Sequence, residues 1–266
     1  MSAQTAENGT KQVSKAPVTI SVITPTFNSA KTFRKTIESV LNQTKAPCEY
    51  IVVDGASTDD TLQILEEYRE AFENKGIDLR ILSEKDNGIY DAMNKGAQMA
   101  KGDVVGIINS DDWYETIALE KVAETYEKEH FDLFYADLRI WTESPEGELK
   151  EKLIKHSSLR TPVVSRDWNH PTTFLTKEMY GIYRYKCESL HDDWELVLRM
   201  RKDGRKVSVL NEVLANFRMN GVSHEKGLGK AISRGKARYK AYVDNGYSKF
   251  YFFECIAIEL AKWIAG

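Results

Sequence analysis

The chain has 266 residues, 42% hydrophobic and 29% charged, which is the make-up of an ordinary globular protein of one large domain or two fused lobes. A net charge of −3 excludes general nucleic-acid binding, which needs a basic surface, so no nucleic acid is expected as a partner. Cys48, Cys187 and Cys255 are odd in number, far apart and without a C-x-x-C pair, which excludes a zinc knuckle or disulfide framework and fits a reducing cytoplasm.

Residues 1–16 are polar and rich in Ser, Thr, Gln and Lys, and predict a disordered tail without the apolar segment of a signal peptide. No uncharged apolar run approaches the roughly 20 residues a membrane-spanning helix needs. Order is expected from Pro17. Val18–Ile23 predicts a strand, followed by the loop Thr24-Pro25-Thr26-Phe27-Asn28. Asn28 or Ser29 can cap a helix whose Phe33, Ile37, Val40 and Leu41 keep a helical period. A second strand, Tyr50–Val53, ends in Asp54-Gly55-Ala56-Ser57-Thr58-Asp59-Asp60, and the next helix buries Leu62, Leu65 and Tyr68. A third strand, Leu79–Leu82, runs into Ser83-Glu84-Lys85-Asp86-Asn87-Gly88, before a helix over Ile89–Ala100 that Gly102 stops.

The fourth strand, Val104–Ile108, breaks into Asn109-Ser110-Asp111-Asp112-Trp113. Two adjacent carboxylates at the end of a buried strand are costly unless neutralised. A divalent metal carrying phosphate oxygens would do so; a solvated turn capping the next helix is the plainer alternative. The alternation of strand and helix favours the metal, because it predicts a doubly wound parallel sheet that binds ligands at the carboxyl ends of its strands. Asp54, Asp86, Asp111 and Asp112 all follow strand ends, as does Thr24-Pro25-Thr26. Neither G-x-G-x-x-G after the first strand nor G-x-x-x-x-G-K-[ST] occurs, which disfavours dinucleotide dehydrogenases and P-loop enzymes.

Beyond Trp113 the alternation stops. A helix is expected over Ala118–Lys128, and antiparallel strands over Phe131–Trp141 and Leu149–Ile154 around Ser144-Pro145-Glu146-Gly147. His170–Leu175 predicts another strand, His191–Glu195 opens a helix that Gly204 ends, and Val207–Phe217 is a last strand. The expected division is 1–16 tail, 17–113 doubly wound half, 114–225 α+β half, and 226–266 helical tail.

Six stretches in order resemble glycosyltransferase family 2, of the bacterial surface-polysaccharide type. They are S-V-I-T-P-T-F-N (Ser21–Asn28), I-V-V-D-G-A-S-T-D (Ile51–Asp59), D-N-G-I-Y-D-A-M-N-K-G (Asp86–Gly96), G-D-V-V-G-I-I-N-S-D-D (Gly102–Asp112), N-H-P-T-T-F (Asn169–Phe174) and D-D-W-E-L-V-L-R (Asp192–Arg199). The resemblance spans Val18–Ser223 and implies a GT-A fold, an α/β architecture with a doubly wound, mostly parallel sheet fused to a smaller α+β acceptor-binding half and a C-terminal helical tail. It implies inverting transfer of a hexose or N-acetylhexosamine from a UDP-sugar to a hydroxyl of a glycan acceptor, polyprenyl-diphosphate-linked, in O-antigen, capsule or exopolysaccharide biosynthesis. Mn²⁺ or Mg²⁺ is the implied cofactor.

The resemblance also assigns residues. Thr24, Pro25 and Thr26 line the nucleotide pocket, Asp54 binds the base, and Asp86 lies near the nucleotide. Ser110-Asp111-Asp112 takes the place of the metal-binding D-x-D; its first position is Ser, so Asp112 is the expected metal ligand and Asp111 faces the ribose. Asp193 matches the catalytic base, which takes a proton from the acceptor hydroxyl. Asp192 competes for that role, and either can instead simply cap the helix. His170 lies on the acceptor side or is a packed histidine, and His224 reaches the metal or diphosphate or is an exposed loop residue. A sugar-nucleotide nucleotidyltransferase and an inactive, sugar-binding family member are the alternatives. The first would want a basic Gly-rich loop where T-P-T-F-N stands, and the second would lack Asp112 or Asp193.

The C-terminal stretch pairs a basic cluster (Arg234, Lys236, Arg238, Lys240) with an apolar helix over Lys249–Ile264. Phe252, Ile256, Leu260 and Trp263 share a face, Cys255 lies at its edge, and Glu259 falls within the apolar stripe. Packing on the core or on a second subunit is one expectation, and the oligomeric state is left open. The other is peripheral contact with anionic lipid at the inner face of the cell membrane.

Overall fold

The computed structural model describes residues 16–144, 146–219 and 228–265. Residues 1–15 of the expected tail, and His224, lie outside them. Strand β1 (Ile20–Thr26) is buried from end to end and feeds two cores, Ile20 and Val22 into one and Ile23 into the other. It does not stop at Ile23. β2 (Glu49–Asp54) stays in register with it from Ser21↔Glu49 to Thr26↔Asp54, so Thr24-Pro25-Thr26 is strand and not loop.

Helix α1 (Phe33–Leu41) begins later than the caps proposed for it. Thr32 is its N-cap and makes no side-chain capping bond. Asn28 instead turns at φ 48°, and its Oδ1 accepts the Thr58 N–H at 2.9 Å. The expected helix after Asp60 is broken into α2 (Thr61–Glu66) and α3 (Arg69–Asn74). β3 (Asp78–Ser83), α4 (Ile89–Met99) and β4 (Val104–Ile107) complete the parallel half. Further on come β5 (Trp113–Tyr114), α5 (Ala118–Glu129), and the hairpin β6 (Leu133–Glu143) and β7 (Leu149–Lys155). β8 (Phe174–Thr176), α6 (Lys177–Ile182), α7 (Asp192–Lys202) and β9 (Val207–Arg218) follow, then α8 (Leu228–Asp244) and α9 (Tyr251–Ala265).

One sheet runs through both halves in the order β3-β2-β1-β4-β8-β6-β9-β5, with β7 beside β6. β1 to β4 are mutually parallel; β8 enters antiparallel to β4 and to β6, and β9 is parallel to β6. Helices cover both faces: α1, α2, α3 and α5 pack with one core, and α4, α6, α7, α8 and α9 with the other. The strand expected over His170–Leu175 forms only from Phe174. His170–Thr172 is a 3₁₀ turn, because Pro171 sets a turn-compatible φ and the His170 carbonyl accepts the Thr173 N–H at 2.9 Å.

The sheet is held flush where glycine removes a side chain. A Cβ at Gly106 of β4 would lie 2.2 Å from the ring of buried Phe174, so β4 and β8 can pair only with glycine there. At Gly181 of α6 nothing lies within 4 Å of the added carbon. Chemical denaturation should therefore find Gly106→Ala destabilised by about 1–3 kcal/mol or unable to fold. Gly181→Ala should be unchanged or stabilised by up to about 1 kcal/mol. Equal stabilities would disprove the packing argument.

Candidate active site

The strand directions place the chemistry on one edge. β4 ends at Ile107 and releases Asn109 to Asp112 there. Because β8 runs antiparallel, with Phe174 opposite Gly106, the His170 turn that precedes it opens at the same edge. β9 runs parallel to β6 and ends at Arg218, alongside Asp112.

The carboxylate turn is tightly held. Ser29 and Ser110 hydroxyls lie 2.7 Å apart, Thr32 Oγ1 donates to the Ser110 carbonyl at 2.9 Å, and Thr36 Oγ1 donates to the Asp112 carbonyl at 2.6 Å. Asp112 is fully buried. Its Oδ1 accepts the Arg218 N–H at 3.0 Å, while its Oδ2 is buried with no hydrogen-bond partner among the described residues. Burial, then the neighbouring Asp111 charge, pushes the Asp112 carboxyl well above the usual carboxylate range. Burial also raises Asp111, which keeps partial exposure. Among the described residues no three His, Cys, Asp or Glu side chains converge. Cations nevertheless ring the turn. Lys35 Nζ sits 3.5 Å from the centroid of the Trp113 ring, and burial followed by repulsion from Arg218 lowers its pKa. The Arg218 guanidinium reaches Glu143 at 2.8 Å.

On the far side of β1, Asp54 is wholly buried at the end of β2. Ser83 Oγ donates to its Oδ2 at 2.7 Å and the Ser57 N–H at 3.0 Å, and the Ser57 hydroxyl bonds its Oδ1. Its carboxylate thereby shapes the loop after β2. A Cβ at Gly55 would meet Asp86 Oδ2 at 2.8 Å and the exposed Phe27 ring at 3.4 Å, so these three residues lie together beyond the end of β2. Thr24 and Thr26 are buried in the strand; Thr24 Oγ1 accepts the Tyr50 hydroxyl at 3.0 Å, on the core side, and Thr26 Oγ1 is buried without a partner.

The two aspartates opening α7 have different surroundings. Asp192 is 2% exposed, and its oxygens accept Glu188 N–H (2.7 Å), Ser189 N–H (3.0 Å) and Ser189 Oγ (2.8 Å), which ties down the loop before the helix. Asp193 stays partly exposed. Burial raises its pKa above the usual value, against His170 and the donors Trp194 N–H and Tyr90, which lower it. His170 is lowered by burial, against the pull of Asp193. Trp168 packs tilted against Trp194 with centroids 5.5 Å apart and sets its edge to His170 at 6.0 Å, so His170 borders this buried aromatic cluster. Tyr90, Asn94, Lys35 and Arg218 are contributors that the sequence reading did not single out. Tyr90 and Asn94 lie inside the D-N-G-I-Y-D-A-M-N-K-G stretch at helical spacing, a signal that was available.

A mixed sheet with one fully buried carboxyl, Asp112, beside the partly exposed Asp111, and a third carboxyl of raised pKa on the same edge, gives this α/β architecture a candidate site. A family model described as glycosyl transferase family 2 matches residues 21–190. The chain therefore belongs to glycosyltransferase family 2. The match ends before Asp193. A PGL/p-HBAD biosynthesis glycosyltransferase of Mycobacterium tuberculosis is 38% identical over 120 residues, 44% of this chain and 46% of the relative. Thus the matched stretch spans about half the length of that relative. A putative teichuronic acid biosynthesis glycosyltransferase of Bacillus subtilis, TuaG, is 27% identical over 214 residues, covering 78% of this chain and 82% of that one. Among solved structures, S. aureus TarS in complex with UDP superposes with a TM-score of 0.62 at 19% identity, covering 94% of this chain and 72% of that chain. A Pyrobaculum calidifontis mannosyltransferase in complex with GDP-Man and Mn²⁺ gives 0.64 at 15% identity, covering 94% and 76%. These likenesses establish the GT-A-like fold expected from the sequence.

The Asp112 environment makes a prediction about stability. A carboxyl whose folded pKa exceeds its unfolded value loses stability as pH rises from about 4 through the folded pKa. Asp112→Asn keeps an oxygen for the Arg218 N–H and removes the buried charge. In EDTA at pH 8, urea denaturation should find this variant at least as stable as the wild type, with the difference shrinking toward pH 4. A large loss of stability at pH 8 would make Asp112 a structural anion.

Proposed function

We propose that this chain is an inverting, metal-dependent glycosyltransferase that moves a hexose or N-acetylhexosamine from a UDP-sugar to a hydroxyl of a lipid-linked glycan acceptor in polysaccharide biosynthesis. The observation that carries the reading is the buried Asp112 carboxylate with one unclaimed oxygen beside Asp111, in a chain of this family. That donor set fits Mn²⁺ or Mg²⁺, hard cations that take carboxylate oxygens. Asp112 would hold the ion, with His224 as a second ligand by the family resemblance, and Asp111 would face the ribose. When bound, the ion supplies Lewis-acid neutralisation of the departing diphosphate. Support for a nucleotide-sugar donor comes from the UDP and UDP-GlcNAc complexes of TarS and the GDP-Man complex of the mannosyltransferase. The names of the Mycobacterium and Bacillus relatives point to surface glycans.

The chain's own residues then divide the work. Phe27, Gly55 and Asp86 line the concavity for the base, with Asp54 holding its loop in shape. Asp193 takes the proton from the acceptor hydroxyl as that oxygen bonds to the anomeric carbon and the bond to UDP breaks, inverting the centre in a single displacement. Its raised pKa suits a general base, since proton affinity near the working pH is what such a group needs. Asp192 has its oxygens committed to Glu188 and Ser189 and orients the helix start. His170 and the two tryptophans border the acceptor.

The outer face of the C-terminal hairpin supports membrane contact. Phe252, Phe253, Ile256 and Leu260 of α9 are 48, 67, 41 and 52% exposed, an apolar face turned outward. Residues 228–265 hold seven Lys or Arg against three acids, in a chain of net charge −3. Apolar residues beside local positive charge complement an anionic bilayer, and repel a second copy of the same face. No helix among the described residues is long and apolar enough to cross a membrane.

Three measurements test this. Asp193→Asn should lose turnover by about a hundredfold or more while still binding UDP, since that is the scale of a positioned base; unimpaired turnover would return Asp193 to helix capping. Asp112→Asn should lose the Mn²⁺-dependent part of UDP binding by calorimetry, and undiminished Mn²⁺-dependent binding would refute the metal assignment. The full chain should co-sediment with anionic vesicles and not with neutral ones. Phe253→Glu combined with Leu260→Glu should abolish that binding, and equal binding by both proteins would exclude a role for this face.

A further inference from the structure

Helix α4 starts directly after the Asp86–Gly88 turn and reaches across to the segment that precedes α7. Asn94 brackets the Tyr185 backbone, donating from Nδ2 to its carbonyl at 2.8 Å and accepting its N–H at Oδ1 at 3.1 Å. Four residues earlier and on the same side of the helix, Tyr90 stacks its ring on Tyr185 with centroids 5.2 Å apart. The Tyr90 hydroxyl donates to the Leu190 carbonyl at 3.1 Å. Leu190 stands three residues before Asp193, and burial followed by the Asp193 charge raises the Tyr90 pKa. Asp86, at the other end of the same turn, borders the proposed base concavity and accepts the Gly88 N–H at 2.9 Å.

We propose that Tyr90 is a positioning residue: its hydroxyl aims the Asp193 carboxyl at the acceptor and ties that aim to the donor-side turn at Asp86. The inference rests on the reading of Asp193 as the base. The phenol's one proton goes to the Leu190 carbonyl, three residues before Asp193, which pins the start of α7 and with it the direction of the Asp193 carboxyl. Against burial, the nearby hydroxyl also lowers the Asp193 pKa and so favours the ionised base, the form that can accept a proton. The other titratable groups facing Asp193 are His170, from the turn before β8, Tyr185, from the segment before α7, and Asp192 on α7 itself. His170 in its charged form acts with Tyr90, and Asp192 acts against it.

Tyr90→Phe keeps the stacked ring and removes only the hydroxyl, so the docking through Asn94 remains. The test is steady-state kinetics of the full chain across pH with a UDP-sugar, alongside Asp193→Asn. Tyr90→Phe should lower kcat about tenfold or more with the donor KM within about twofold. It should also move the acid limb of kcat/KM to higher pH, because the carboxyl has lost the hydroxyl that lowers its pKa. Lowered kcat with an unmoved acid limb would reduce Tyr90 to a packing residue. Unchanged kcat would overturn the inference while leaving the base assignment intact if Asp193→Asn is inactive. Full turnover by Asp193→Asn would overturn the base reading, and the inference with it.

Discussion

A carboxylate taken wholly out of water must be matched by a partner, and Asp112 is matched on one oxygen only. Much of the active half can be understood as the scaffold for that imbalance. Three hydroxyls from the loop and start of α1 (Ser29, Thr32 and Thr36) fix the backbone of the turn, so the carboxylate cannot swing outward for solvent. The last residue of β9, a strand more than a hundred positions away in sequence, supplies the single N–H that Oδ1 accepts. The short pairing of β5 with β9, Trp113 against Asn216, keeps that donor in place. A turn so over-determined keeps the Asp112 carboxyl buried with one oxygen unmatched among the described residues.

The same logic separates Asp192 from Asp193. The residues are adjacent and chemically identical, yet one is saturated by donors from its own loop and the other keeps a face open to the cleft. The three donors tie Asp192 to its own loop. Burial raises the pKa of Asp193, with His170 and Tyr90 as counterweights, which suits the proposed role of proton acceptor. Position on the helix decides this: Asp192 lies over the preceding loop, whereas Asp193 points toward α4.

The parallel half was legible because its signals are local and periodic. Short apolar runs ending in polar turns gave β1 to β4 and α4 close to their actual bounds, and the strand ends correctly gathered Asp54, Asp86, Asp111 and Asp112 on one edge. The errors came where long-range pairing outweighs local propensity. Thr24-Pro25-Thr26 looks like a loop, and only its register with β2 keeps it extended. Thr24 was consequently expected in the pocket, but its hydroxyl accepts Tyr50 in the core. The His170 stretch reads as strand by β-branched content, yet Pro171 and the hydroxyls of Thr172 and Thr173, both donating to the Asn169 carbonyl, curl it into a turn. Arg218 acts through its backbone N–H, a contribution no side-chain pattern can announce.

The C-terminal hairpin shows how a charge pattern can mislead even when the helices are recognised. Arg234 and Arg238 look like half of a basic surface cluster, but they are 8% and 5% exposed, and each meets Glu259 at 3.0 Å. The acid that interrupts the apolar stripe of α9 is therefore the inward partner of two buried arginines. Such a cluster adds little net stability, because desolvation offsets most of the attraction, but removing any one member strands the others. Glu259 lies two helical turns after Phe252, so the acid and the apolar stripe share one side of α9: Phe252, Ile256 and Leu260 line, with Glu259, Ile232 and Tyr239, a groove of about 540 Å³ between α8 and α9, where they stay about half exposed. The apolar stripe is thus the neighbour of a buried charge and not its opposite face. Packing on α8 satisfies the charge while leaving Phe252, Ile256 and Leu260 about half exposed, which is the surface the proposed membrane contact would use.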